Sequence, residues 1–155
     1  PVAQQAAHNL RTLIEERRIH LDLLLPGDLP DLMMDASRVA QVLTNLLSNA
    51  IKFSPVGGRI EISAEVWEEG VRVGVRDHGE GIAPQDLGKL FRKFSQIDST
   101  ATRKAGGTGL GLVISKGIVE RLILDQGSSL RGVITIACRK LVKEPNSVDN
   151  AQVAV

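Results

Sequence analysis

The feature that most constrains this chain is the segment from Ala36 to Phe53, where Val39, Val42, Leu43, Leu46, Leu47 and Ala50 recur at helical spacing. Asp35 precedes it as a natural N-cap, and Ser54-Pro55 with Gly57 and Gly58 closes it. A helix this long with one apolar side must lay that side on a second layer. On the other side, at about 100° per residue, Arg38, Gln41, Asn45, Asn49 and Lys52 gather in one narrow polar stripe. Two readings of the stripe stand side by side. It is a solvated helix face, or its Asn oxygens hold a magnesium ion completed by water and phosphate oxygens, with Lys52 compensating charge.

The receiving layer is legible as strands. Ile60, Ile62, Ala64 and Val66 alternate along Arg59 to Val66, then Glu69-Gly70 marks a turn, and Val71, Val73 and Val75 alternate up to Asp77. Upstream, Val2, Ala6, Leu10, Leu13 and Ile14 predict one helix from Val2 to Arg18. Ile19-His20-Leu21-Asp22-Leu23 predicts a half-buried strand, and Pro26-Gly27-Asp28 a turn. Downstream, the polar stretch from His78 to Thr108, interrupted by a short helix near Pro84 to Leu90, is long for a compact domain and reads as a functional loop or lid. A third helix is expected from Gly109 to about Leu122, one further strand from Val133 to Ala137, and a frayed tail from Pro145 to Val155.

Composition narrows the function classes. The 155 residues, 43% of them hydrophobic, suffice for one core. The 19 basic and 18 acidic side chains nearly cancel and aromatics make up 3%, which argues against a nucleic-acid partner. Cys138 is the lone cysteine, so no internal disulfide can form. No apolar run approaches the roughly 18 residues of a membrane span and no leader is evident, so the chain reads as soluble, without membrane contact of its own. Beginning at Pro1 without Met, it is expected to be a piece of a longer protein whose sensor or membrane segment lies upstream.

Two further constellations carry chemistry. Asp77-His78-Gly79-Glu80-Gly81-Ile82 ends the valine-alternating strand, and Asp77 shares parity with Val71, Val73 and Val75, so it points to the apolar side. A carboxylate there costs free energy unless hydrogen-bonded. An exocyclic amine such as adenine N6 would satisfy it, while Gly79 and Gly81 permit close approach of a planar ring. Ordinary loops use the same residues. Gly106-Gly107-Thr108-Gly109-Leu110-Gly111-Leu112 opens into the third helix, a ready phosphate site or else a flexible hinge. It lacks the Gly-Lys-Ser/Thr of a P-loop and follows no strand, which disfavours both the P-loop and the dinucleotide fold.

In this order and spacing the segments resemble the GHKL superfamily of ATPases and kinases, and within it the histidine kinases. Asn45 to Phe53 looks like the N box, Asp77 to Ile82 the first glycine box, Phe91-Arg92-Lys93-Phe94 the F box, and Gly107 to Leu112 the second glycine box. The resemblance spans roughly Val2 to Glu120. It implies an α/β (α+β) two-layer sandwich of the Bergerat type, a mixed sheet packed on helices, over residues 1–144, with a mobile ATP lid at about Ser95 to Ala105. It implies ATP and magnesium as cofactors, with Asn49 and Asn45 for the metal, Lys52 for phosphate and Asp77 for adenine. Arg92 and Lys93 would lie near the transferring γ-phosphoryl group, although alone they read equally as a solvated basic pair. Nucleotide contacts are further implied for Phe53, Gly79, Gly81, Ile82, Phe94, Gly107, Thr108, Gly109, Leu110, Gly111 and Leu112.

The subclass turns on Asn45. In the hydrolytic relatives a glutamate four residues before the magnesium Asn activates water, whereas Asn45 cannot act as a base. The resemblance therefore implies transfer of the γ-phosphoryl group to a histidine on a separate dimerisation domain, with a response regulator downstream and a cytoplasmic setting; a binding module without catalysis is the alternative. His8 is rejected as that acceptor, because Asn9 and Leu13 stand where an acidic residue and a proline are expected, and the N box follows too closely. His20 and His78 read as structural or solvated. After Glu120 the pattern breaks: Arg121 to Gly132 replaces the family's His-Gly-Gly turn, and one closing strand is expected to be missing or rewritten.

Overall fold

A computed structural model describes residues 2–32, 34–67, 70–82, 84–92, 110–125 and 135–139. Its elements run α1 (Val2–Asn9), α2 (Arg11–Glu16), β1 (His20–Leu24), α3 (Ala36–Phe53), β2 (Arg59–Trp67), β3 (Gly70–Asp77), a 3-10 helix (Pro84–Lys89), α4 (Gly111–Asp125) and β4 (Thr135–Arg139). The lid, Lys93, Phe94, Gly107, Thr108, Gly109 and the tail lie outside the described residues.

The long helix forms where its sequence requires it. The Asp35 carboxylate accepts hydrogen bonds from the Ser37 and Arg38 amides at 2.9 and 3.2 Å and from the Ser37 hydroxyl at 2.6 Å, satisfying donors that α3 cannot pair internally. These bonds, the Ser37 hydroxyl foremost, hold the Asp35 carboxyl below its ordinary value. At the far end Ser54 leaves the helix with extended backbone, as the residue before a proline must. Val39, Val42, Leu43, Leu46, Leu47, Ala50 and Ile51 are all buried, so the stripe facing the sheet is the one that the spacing identifies.

Helix α3 packs on a mixed four-stranded sheet of order β1-β2-β3-β4. Strand β1 runs parallel to β2, β2 and β3 form an antiparallel pair, and β4 runs parallel to β3. In the β2–β3 register Ile60 faces Asp77, Ile62 faces Val75 and Ala64 faces Val73, so the alternating residues of both strands share one face. That face and α3 supply most of the core: Leu43, Leu47, Ile51, Ile60, Ile62 and Val75 are almost wholly buried, joined by Val119 of α4 and by Ala3 and Ala6 of α1.

The N-terminal region differs from the single helix expected over Val2 to Arg18. It breaks at Leu10, whose amide bonds the Ala7 carbonyl three residues back at 3.2 Å. It ends at Glu16, because Arg18 takes a positive φ of 52°. There the Arg18 amide bonds Glu15 at 3.0 Å and the Ile19 amide bonds Ile14 at 2.9 Å, the pair of reverse bonds that terminates a helix. No glycine marks this stop, so the sequence hides it. Strand β4 lies two residues beyond the expected Val133 to Ala137 and pairs with β3, so a strand does flank β3 despite the altered sequence after Glu120.

Candidate functional site

The polar stripe of α3 is covered unevenly. Arg38 and Gln41 are exposed, whereas Asn45, Asn49 and Lys52 are half-buried. Two glycine segments meet this helix at different heights, one at Phe53 and one at Asn45.

At the C-terminal end of α3 the contact is with the turn after β3. Asp77 is only 2% exposed, on the apolar face that its parity predicts, and Oδ1 accepts the Gly79 amide at 2.9 Å. A side chain at position 79 has no room: a Cβ there would lie 2.5 Å from the Phe53 carbonyl oxygen and 2.8 Å from Asp77 Oδ1. Only glycine lets this turn touch the end of α3. Gly81 follows with a φ of 78° and Ile82 is half-buried. Beside this turn, the Lys52 ammonium stands 5.3 Å from the centre of the Phe53 ring, within cation–π range. It also complements the negative end of the helix.

Two turns earlier, α3 meets the start of α4. Asn45 Nδ2 donates to the Gly111 carbonyl at 2.7 Å and to Ser115 Oγ at 3.1 Å. Leu110, Gly111 and Leu112 are half-buried there. Lys116, one turn along from Leu112, places its ammonium 5.3 Å from the Phe91 ring centre, tying α4 to the segment after the 3-10 helix. Arg92, next in that segment, is exposed.

The structure thus brings Asn45, Asn49, Lys52 and Phe53 onto one helix bracketed by Asp77 to Ile82 and by Leu110 to Leu112, and leaves Arg92 at the surface. It adds residues that the sequence does not single out. Ser115, 4% exposed, is a polar side chain on the apolar face of α4, and its spacing of four from Gly111 is the one available clue. Arg17 donates from Nη2 to the Ser54 carbonyl at 2.8 Å, and its own carbonyl accepts the Gly57 amide at 2.9 Å, so the end of α2 braces the end of α3. His8, His20 and His78 are all exposed.

Among the described residues no group of three His, Cys, Asp or Glu side chains could cage a metal ion. The nearest fit to a hard cation is the carboxamide oxygen of a half-buried Asn, which supplies one ligand and leaves the rest to phosphate and water. The buried Asp77 carboxylate, an acceptor, fits an amino-bearing group, while the close approach at Gly79 is taken by the Phe53 carbonyl. Among the described residues, no helix is long and apolar enough to cross a membrane.

Comparison with known proteins identifies the family and the fold. The family described as "Histidine kinase-, DNA gyrase B-, and HSP90-like ATPase" matches residues 34–149. The "Non-motile and phage-resistance protein" of Caulobacter vibrioides is 40% identical over 122 residues, covering 76% of this chain and 14% of that protein. "Sensor histidine kinase WalK" of Bacillus subtilis is 45% identical over 89 residues, covering 56% of this chain and 15% of that one. The chain therefore spans a small part of these relatives' length. Among solved structures, the catalytic domain of histidine kinase ThkA superposes with a TM-score of 0.66 at 30% identity, covering 77% of this chain and 76% of that one. With an α+β fold shared with such catalytic domains and relatives named as sensor histidine kinases, the chain belongs to the histidine kinase-, DNA gyrase B- and HSP90-like ATPase family, on its histidine kinase side.

Proposed function

We propose that this chain binds ATP with magnesium and transfers the γ-phosphoryl group to a histidine on a separate dimerisation domain, within a two-component signalling pathway. The observation that carries the reading is the bracketing of α3. One glycine segment touches it at Phe53 and the other at Asn45, eight residues and about 12 Å apart along the axis. An extended nucleoside triphosphate is of comparable length. Asp77, at one end, would accept a hydrogen bond from the adenine amine and disfavour a carbonyl in that place. Gly79, Gly81, Ile82 and Phe53 would line the base, and Lys52 would neutralise phosphate charge.

The second glycine segment, Gly107 to Leu112 with Thr108, Gly109 and Leu110, would wrap the phosphates at the start of α4. Asn49 would hold magnesium, which when bound neutralises charge on the phosphate oxygens. Arg92 and Lys93, with Phe94 beside them, would approach the γ-phosphoryl group when the lid closes. An imidazole nitrogen of the partner domain attacks the γ-phosphorus, the bond to the bridging oxygen breaks, and ADP leaves with the electron pair. Asn45 supplies no base at the position where hydrolytic relatives carry a glutamate.

The histidine-bearing domain and a downstream response regulator are the proposed partners, in a cytoplasmic setting. ThkA has itself been solved in complex with the response regulator TrrA. The test is to mix the chain with γ-labelled Mg-ATP and a cognate histidine hairpin. Label on the hairpin is the expected result; bound nucleotide without transfer would leave a regulatory binding module instead. In parallel, Asp77→Asn should weaken ATP binding by about 10- to 100-fold, the cost of losing a charged hydrogen-bond acceptor. Calorimetric titration with unchanged affinity would end the adenine assignment.

A further inference from the structure

We infer that Asn45 is a positioning residue: its carboxamide clamps the first turn of α4 onto α3 and thereby sets where the second glycine segment ends, rather than holding the metal ion. This rests on the nucleotide-binding reading above and refines one residue of it.

The chemistry of the partners fixes the orientation of the amide. The Gly111 carbonyl oxygen can only accept, so the Asn45 atom 2.7 Å from it must be the NH2 group. The second hydrogen of that group goes to Ser115 Oγ at 3.1 Å. Both donors are therefore spent on residues one helical turn apart in α4. The carboxamide as a whole is pressed against Gly111, where a Cβ would stand 3.0 Å from Oδ1 and 3.2 Å from Nδ2. Glycine at 111 thus serves the approach of the two helices, and Ser115, almost fully buried, has Asn45 as a partner. Leu110 accepts the first helical bond of α4, from Ile114 at 2.9 Å, so what the clamp holds is the turn from which the phosphate-binding segment departs.

Asn45→Asp separates a clamp from a metal ligand. A carboxylate is the better magnesium ligand, yet it has no hydrogens for Gly111 and would face its carbonyl oxygen. Ser115→Ala removes one clamp bond at a position outside the proposed nucleotide contacts. The measurement is amide hydrogen exchange without nucleotide, followed by fluorescent-nucleotide titration with magnesium and with a chelator.

A clamp predicts that Ser115→Ala lowers protection in the first turns of α4 by about two- to tenfold, one hydrogen bond's worth, and that Asn45→Asp lowers it further. Protection in β2 and β3 should stay unchanged, which a general loss of stability would not allow. Nucleotide affinity should fall in both variants whether or not magnesium is present, with the magnesium midpoint unmoved. Wild-type protection of α4 in both variants, or a tighter magnesium midpoint in Asn45→Asp with normal affinity in chelator, would overturn the proposal. If the wild type binds no nucleotide, the functional reading fails, while the exchange data still decide the clamp.

Discussion

Gly79→Ala tests the contact that joins the turn after β3 to α3. The added Cβ would sit 2.5 Å from the Phe53 carbonyl oxygen and 3.1 Å from its carbon, where ordinary contact begins at 3.4 Å. The difference of 0.9 Å must come from backbone on one side or the other, because neither Phe53 atom belongs to a side chain that can swing away. Overpacking of this kind costs about 1–3 kcal/mol. For a domain of this size that lowers Tm by about 2–12 °C.

The control is Gly117→Ala, in α4 with nothing within 4 Å of its would-be Cβ. It should gain about 0.5–1 kcal/mol from relieved backbone entropy in a helix. Calorimetric melts of the three proteins read both effects, and repeating them with saturating Mg-ATP reads binding, since ligand stabilisation follows affinity. The ATP-induced shift should shrink in Gly79→Ala, because the same Cβ lies 2.8 Å from Asp77 Oδ1. A Gly79→Ala protein that melts at the wild-type temperature with a full ATP shift would refute the reasoning.

Two further outcomes concern folding alone. Arg18→Gly should stabilise the chain by about 1 kcal/mol, since the positive φ of 52° that ends α2 is strained for arginine and free for glycine; a lower urea midpoint would contradict this. Asp35, held below its ordinary value, contributes stability at pH above the unfolded carboxyl value of 3.8 and loses it as pH falls through the lowered folded value. Asp35→Asn caps without titrating, so the wild type's advantage in urea midpoint should vanish on acidification below that point. An advantage independent of pH would exclude the carboxylate as its source.

The parts of the fold that were legible in the sequence are those set by local physics. Ala36–Phe53 ends where Asp35 and Ser54-Pro55 place it, and the valine and isoleucine alternations give both strands of the hairpin and the inward side of Asp77. Hidden parts depend on contacts remote in sequence or on unmarked backbone. Asn45 meets Gly111 and Ser115 across 66 and 70 residues, a pairing that no spacing announces. Arg18 ends α2 without the glycine that normally signals such a stop. Lys93 and Phe94, named through the resemblance, and Gly107, Thr108 and Gly109, read from the glycine run before a helix, lie outside the described residues.

The pairing of Ile60 with Asp77 ties the placement of this carboxylate to the integrity of the fold. A slip of one residue between β2 and β3 would turn Asp77 outward, but it would equally expel Val75 and Val73 from the core. A molecule that misplaced this carboxylate would thus forfeit the hydrophobic energy that keeps it folded. Errors of register are thereby removed by unfolding before they can displace the carboxylate.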